Sequence, residues 1–481
     1  MKHKTIKSSL LLCLIILGIQ ACKMGPNYSR PDLNVDVDWD STAVKGDQVA
    51  QIKWWDLYQD SLLESYISEA LKENYNLRVA AAKIQELQAF RKTTKSALFP
   101  QIGVNTFAEG EAGHNAATGV TKNNEKYRGI GTLSWELDLW GKIRRQVEAA
   151  NAEYLGTYEA YRSMSISLVA EVAKTYFSLQ DIDNRLRITR RTLIARQEAQ
   201  RIAELRFKGG LVSEIEYQQA TVELAQTKSL IPELERQVKI NTNELAILLG
   251  RPPQELARSN SISDQPVVPA IPVGLSSELL ERRPDIRQAE DQLVAANAQI
   301  GAAKADYFPN LTLTGKFGYQ SPSLNNFVAN GFNYWEYIGD ITAPLFSAGR
   351  IKGNVEAKKA QYNQVLNQYK QTVNVALKEV SDGLVTFQKT AQTRDAQTEL
   401  LTASQEYLRL AQLQYLNGIV NYLDVLDAQR RLFEAEISES AAIKEQLVSM
   451  VDLYKALGGG WDGQSMQPEI VPKEMSDSKQ K

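Results

Sequence analysis

The residue in this 481-residue sequence best placed to do chemistry is Cys22. Only two Cys and two His are present, which in practice excludes a disulfide framework and any His/Cys metal cluster. Gly18-Ile19-Gln20-Ala21-Cys22 resembles a bacterial lipobox, in which cleavage before the cysteine is coupled to acylation of its thiol; Gln20 stands where a small residue is usual. An ordinary signal peptide with a stray cysteine is the plainer alternative, but cleavage there leaves Cys22 as the one thiol of the mature chain. Arg282, Arg283 and Asp285 could form an Arg–Asp catalytic pair. They also suit a charged helix start, where an Asp opposes the macrodipole. His114, the one His of the mature chain, falls in a predicted external loop and is a poor base. Trp54 and Trp55 are expected to pack the N-terminal segment onto helices. No nucleophile elbow, phosphate loop or metal-ligand spacing occurs, so neither an envelope enzyme nor a bound cofactor is expected.

The stretch before Cys22 has the layout of a targeting segment. Lys2, Lys4 and Lys7 make a positive start, and Leu10 to Leu17 make an apolar run too short to span a bilayer. Its removal takes the formal charge from −2 to −5. The near balance of 55 basic and 57 acidic side chains lacks the basic footprint of a nucleic-acid binder. No later apolar run reaches transmembrane-helix length. One acyl chain binds membranes only marginally, so stable anchoring at Cys22 needs several chains or a second membrane element.

The elements that position these residues are written twice. Asn76-Leu77-Arg78 returns as Asp285-Ile286-Arg287, and Phe99-Pro100 as Phe308-Pro309, both 209 residues on. Gly141-Lys142-Ile143 returns as Gly349-Arg350-Ile351, Gly210-Leu211-Val212 as Gly418-Ile419-Val420, and Leu249-Gly250 as Leu457-Gly458, all 208 residues on. So long a period is a duplicated half-protein rather than a solenoid repeat. The expected segments are a signal peptide (1–21), a lipid-anchored N-terminal segment (22–59), a first repeat (60–250), a connector (251–274), a second repeat (275–458) and a polar tail (459–481).

Each half reads helix, strand, strand, very long helix, turn, long helix. One helix is expected from about Asp60 to Leu98, ending before Pro100, and its partner from Pro284 to Asp306. After Gly141, Leu168, Val172, Leu179, Ile182, Leu186 and Leu193 keep coiled-coil spacing. Ile351, Val355, Tyr362, Leu366, Tyr369, Val373, Val380, Leu384 and Phe387 do so after Gly349. A helix from Gly141 to Phe207 rises about 1.5 Å per residue, roughly 100 Å in all. Pro232 inside the second long helix is expected to bend or break it.

Four short runs alternate in polarity: Ile102, Val104 and Thr106; Leu133, Trp135, Leu137 and Leu139; Leu311, Leu313, Gly315, Phe317 and Tyr319; Trp335, Tyr337, Ile341 and Leu345. They have the length of transmembrane β-strands, apolar outward and polar inward, joined by polar loops (Gly110 to Asn124, Ser321 to Asn333). Two soluble hairpins with one wet face are the alternative. Four strands cannot enclose water, and open edges are not tolerated in lipid. Several chains must therefore share one barrel, and three chains make twelve strands.

Trp54-Trp55-Asp56-Leu57-Tyr58, Glu136-Leu137-Asp138-Leu139-Trp140-Gly141-Lys142, Arg282-Arg283-Pro284-Asp285-Ile286 and Tyr422-Leu423-Asp424-Val425-Leu426-Asp427-Ala428-Gln429-Arg430 resemble the hallmark motifs of the TolC-like outer-membrane efflux family. Cys22 followed by Met24-Gly25-Pro26-Asn27-Tyr28 and Arg30-Pro31 is similar to its NodT-type lipoprotein branch, and Lys23 after Cys22 is the outer-membrane sorting pattern. The resemblance implies a mainly α fold with a small membrane β part, and a homotrimer with a twelve-strand β-barrel and a long coiled-coil α-barrel. It implies a lipid-anchored exit duct in the outer membrane of a Gram-negative bacterium, passing drugs, metals or other small solutes. The implied partners are a periplasmic adaptor, an inner-membrane RND-type transporter and outer-membrane lipid. It also places a constriction of polar and acidic residues at the helix turns around Lys208 to Glu216 and Asn417 to Asp424. Glu214, Asn421 and Asp424 are the candidates, or else merely solvated helix ends. Val420 stands where close relatives often carry an acid. The alternatives are a type I secretion duct, which shares the fold, and a non-conducting coiled-coil envelope tether.

Overall fold

The structure, a computed structural model, describes residues 23–33, 58–115, 117, 119–258, 262–265, 282–328 and 333–459. Cys22, Trp54, Trp55, half of the connector and the tail after Gly459 lie outside them. The first half runs α1 (Ser61–Glu73), α2 (Tyr75–Ser96), β1 (Gln101–Asn115), β2 (Val120–Leu137), α3 (Lys142–Lys208) and α4 (Glu214–Leu248). The second half runs α5 (Pro284–Ala305), β3 (Asn310–Ser321), β4 (Asn333–Thr342), α6 (Arg350–Leu416) and α7 (Tyr422–Ala456).

The duplication is kept to the residue in the helices. Both α3 and α6 have 67 residues, both α4 and α7 have 35, and both α2 and α5 have 22. Among the paired elements described in both halves, the hairpins differ in length, with 15 and 18 residues in β1 and β2 against 12 and 10 in β3 and β4. The one-residue change of period therefore falls in the hairpins.

Glycine ends the helices in matching places. Gly210 and Gly418 have φ of 70° and 71°, a region open to glycine without steric cost. The amides of Leu211 and Ile419 reach back to the carbonyls of Arg206 and Gln414 at 2.8 and 2.9 Å, closing Schellman turns.

Three expectations need correction. The first helix is not continuous from Asp60 to Leu98. Asn74 is extended (ψ 125°), and its Oδ1 accepts the amides of Asn76 and Leu77, ending α1 and capping α2. Pro232 does not break α4, which runs on to Leu248. Pro232 and Lys228, whose carbonyl loses its helical donor, are both exposed, so water can satisfy that group. Finally, most of Gly110 to Asn124 is strand, and only 116–119 connect β1 to β2. This puts His114 in β1 rather than in a loop, while Leu139 and Leu345 fall beyond the strand ends.

The described chain packs as two units. One gathers Lys83–Tyr158 and Gln288–Gln371 with the N-terminal residues to Leu33, and it holds the sheet. Its helical core is built on small residues: Ala149 and Ala152 of α3 meet Ala295 and Ala298 of α5. Gly156 lies so near α5 that a Cβ there would stand 3.2 Å from Asp291.

The other unit holds the remaining lengths of α3 and α6, with α4 and α7. Ile182 and Leu186 of α3 pack on Leu234 of α4, as the heptad spacing required. A matching tie closes both return helices at their C-terminal ends. The side-chain amide of Asn74 donates to the Leu248 carbonyl at 2.9 Å, and Arg283, its counterpart 209 residues on, donates to the Ala456 carbonyl at 2.8 Å. Arg283 also binds Asp285 and Glu379, at 2.6 and 2.7 Å, so this Arg–Asp pair is a helix-start fastening.

Candidate functional site: an apolar-faced sheet and two helix-hairpin tips

The four strands form one antiparallel sheet in the order β1-β2-β3-β4. The join between halves is the β2–β3 pair, in which Leu133 faces Gly315 and Trp135 faces Leu313. Directly paired residues share a face, so the register sorts the side chains. One face carries Ile102, Val104, Leu133, Trp135, Leu137, Leu311, Leu313, Phe317, Tyr319, Trp335, Tyr337 and Ile341. The other carries Asn105, Glu109, Lys126, Arg128, Thr132, Thr314, Lys316, Gln320, Glu336 and Asp340.

A water-soluble sheet buries its apolar face, but here that face is open. Val104 and Tyr337 are each 80% exposed and Phe317 is 69% exposed. The polar face has internal partners: Lys316 donates to Glu336 at 2.8 Å, Tyr334 to the same carboxylate at 2.7 Å, and Arg128 to Gln320 at 3.2 Å. The outer edges of β1 and β4 have no strand partner among the described residues. At the helical end of the sheet, Trp135 donates to the Leu98 carbonyl and Trp140 to the Pro309 carbonyl, with Trp140 stacked on Phe308 at 4.7 Å. Aromatic residues with one polar atom satisfied suit the boundary of an apolar layer.

The hairpin tips lie in the other unit, at the α3–α4 and α6–α7 turns. Asn421 and Asp424 bind each other's backbone: the Asn421 side chain accepts the Asp424 amide at 3.3 Å, and the Asp424 carboxylate accepts the Asn421 amide at 3.2 Å. This is a capping box, and its sequence signal is the pair of residues three apart before an apolar run. The counterpart in the first half is Ser213, whose side chain accepts the Glu216 amide at 3.4 Å. Glu214 is exposed and lines a groove of about 580 Å³ with Gln218, Asp427 and Arg430.

The structure brings to the tips residues that sequence reasoning missed. Arg206 donates to the Tyr415 hydroxyl and stands over its ring, tying the end of α3 to the end of α6. Arg196 is nearly buried, pairs with Glu223 and lies 5.9 Å from the Phe433 ring; burial holds its pKa down. Burial pushes the Tyr422 hydroxyl up. Arg431, with Arg430, holds Asp427 below the usual carboxylate range by hydrogen bonding. Asp427 with Arg430 and Arg431 was legible as a pattern three and four apart on one helix. Arg206 with Tyr415 was not, because nothing local links residues 209 apart. No group of His, Cys, Asp and Glu suited to a metal occurs among the described residues.

A sheet with its apolar face exposed and its outer edges unpaired among the described residues, on a chain rich in long paired helices, points to the class of outer-membrane channel proteins. Residues 66–251 and 275–459 match the sequence profile of the family described as outer membrane efflux protein. The probable efflux pump outer membrane protein SepC of Pseudomonas putida is 33% identical over 96% of this chain and 99% of its own length. Outer membrane protein OprJ of Pseudomonas aeruginosa is 33% identical over 93% and 95%. Among solved structures, the open-state MtrE outer membrane channel of Neisseria gonorrhoeae superposes with a TM-score of 0.85 at 30% identity, covering 93% of this chain and all of that one. The outer-membrane channel OprN superposes with a TM-score of 0.82 at 29% identity, covering 92% of this chain and all of that one. The chain belongs to the outer membrane efflux protein family. It is an outer-membrane channel of an efflux system in a Gram-negative bacterium.

Proposed function

We propose that three copies of this chain assemble into one passive exit duct with no catalysis of its own. The apolar-faced, open-edged sheet carries this reading: four strands per copy close a twelve-strand barrel only when copies are pooled. The four long helices of each copy then supply twelve to a periplasmic tunnel. Residues 1–21 act as signal peptide, and acylation of Cys22 adds the lipid anchor. A periplasmic adaptor and an RND-type inner-membrane transporter hand over the cargo and supply the energy. Relatives named for toluene, solvent and antibiotic efflux support small apolar solutes and drugs as cargo.

The test is planar-bilayer conductance of the purified protein together with its mass in detergent. A conducting particle of three chains is expected. A stable, non-conducting monomer would favour the envelope tether.

The closed end is proposed to lie at the tips. Glu214, Asn421 and Asp424 are the polar positions there, with the capping box holding the α7 start in place. Replacing Asp424 and Glu214 together with Ala removes the N3 half of the box and two acidic charges. Single-channel conductance or antibiotic uptake should rise. Unchanged values would remove both residues from the gate.

A further inference from the structure

Within the sheet-bearing unit, Lys23 to Leu33 lie in extended, irregular chain along α3 and α5. The Met24 amide donates to the Trp140 carbonyl at 3.0 Å. Arg145 of α3 is 1% exposed, and it turns most of its donors toward this strap. Its Nε donates to the Met24 carbonyl at 3.0 Å, and its Nη2 to the Gly25 carbonyl at 3.3 Å and to Asn27 Oδ1 at 2.9 Å. Its Nη1 pairs with Glu148 at 2.9 Å. From α5, Asn297 donates to the Pro26 carbonyl at 3.0 Å, and Glu290 accepts Tyr28 at 3.1 Å and both arms of Arg30 at 2.8 and 2.6 Å.

The fit demands glycine on both sides of the contact. Gly25 has φ of 87°, and a Cβ there would lie 2.5 Å from the Gly301 Cα of α5. A Cβ on Gly301 would likewise meet the Met24 carbonyl at 2.5 Å. Two glycines from chain regions 276 residues apart must therefore meet.

We propose that the Arg145–Glu290–Asn297–Gly301 surface is a peptide-recognition groove whose ligand is the chain's own segment Lys23–Leu33, and that the segment clasps the two repeats together. The groove has one wall from the first repeat and one from the second. It therefore exists only once α3 and α5 are packed side by side. The strap is synthesised first, yet it cannot seat until α5, more than 250 residues later, has folded. An empty groove costs Arg145 three of its acceptors and opens the contact that Gly25 makes with Gly301, so vacancy loosens the α3–α5 pair. Seating thus reports that both halves are in place. The clasp rests on neither acylation nor channel activity.

The test uses the full chain in detergent. Gly25→Val drives the strap out while leaving Arg145, Glu290 and Asn297 untouched. Chymotrypsin should then cut after Tyr28 at least about tenfold faster than in the unchanged chain, since cleavage follows the population of the released state. A fluorescent synthetic peptide spanning Lys23–Leu33 should bind the Gly25→Val chain saturably and the unchanged chain weakly, because there the groove is filled. Equal cleavage rates, or no saturable peptide binding, would overturn the proposal. If Gly25→Val fails to accumulate, Glu290→Gln gives the reading from the α5 wall of the groove, where Glu290 holds Tyr28 and the more exposed Arg30. Faster cleavage after Tyr28 supports the clasp, and an unchanged rate refutes it.

Discussion

Gly318→Val is expected to prevent the two halves of the sheet from joining. Gly318 lies opposite Ile130 in the β2–β3 pair, the join between the repeats. A Cβ on Gly318 would overlap the Gly129 carbonyl oxygen and stand 2.8 Å from the Ile130 Cα. These are backbone atoms held by strand pairing, so no side-chain rotation relieves the clash. Ile130 is itself 2% exposed, which leaves little room for the strand to shift. A cost on the order of 4 kcal/mol or more is expected, at the diagnostic end of single substitutions. The folded protein recovered from outer membranes should fall at least about tenfold. Gly315→Val is the control, three residues earlier in the same strand. Its Cβ would meet only the Leu133 side chain, at 3.9 Å, an ordinary contact. It adds an apolar, β-branched side chain to the apolar face, where strands favour one, and recovery should stay within about twofold. Equal recovery of both variants would show that the close approach of β2 and β3 is not needed.

The second large effect is expected at Arg283. Its side chain is 7% exposed, and it serves the Ala456 carbonyl at the end of α7 as well as the carboxylates of Asp285 and Glu379. Arg283→Ala leaves that carbonyl and both acids without their cation. Breaking a buried pair by removing one partner typically costs about 3–5 kcal/mol. Glu379 is 44% exposed and can return to water, which places the expected value near the lower bound of about 3 kcal/mol.

Asn74→Ala removes the equivalent tie in the first half, a neutral amide bond to the Leu248 carbonyl, together with the cap on α2. Those neutral interactions are worth about 1–2 kcal/mol together. Denaturant unfolding followed by helical circular dichroism should therefore rank Arg283→Ala clearly below Asn74→Ala. The reverse order would mean that the buried charge adds nothing beyond the amide it parallels.

Much of the architecture was legible because it rests on short-range periodicity. The return of Gly141, Gly210 and Leu249-Gly250 after 208 residues marks the same helix starts and stops in both halves, and the helices there are equal in length. Alternation in Leu311 to Tyr319 reported two faces of unlike polarity, since side chains on a strand change sides at each residue. Local reading failed where the environment decides. Asn74 ends α1 because it both caps α2 and reaches the end of α4. Pro232 is tolerated where both it and Lys228, whose carbonyl it orphans, are exposed. His114 belongs to β1 because a long partner strand continues the ladder through polar residues that resemble a loop.

The sequence by itself therefore determined the duplication, by direct comparison of its two halves, and the long helices and two-faced strands, which are set by residues at most a few turns apart. Only the tertiary structure decided which face of the sheet is left open and that Gly318, rather than Gly315, cannot carry a side chain. It alone showed that Arg145 is spent on Met24, Gly25 and Asn27. Those facts depend on which distant backbones come within a few ångströms of each other, and pairing register and helix contact set that distance, not any local pattern.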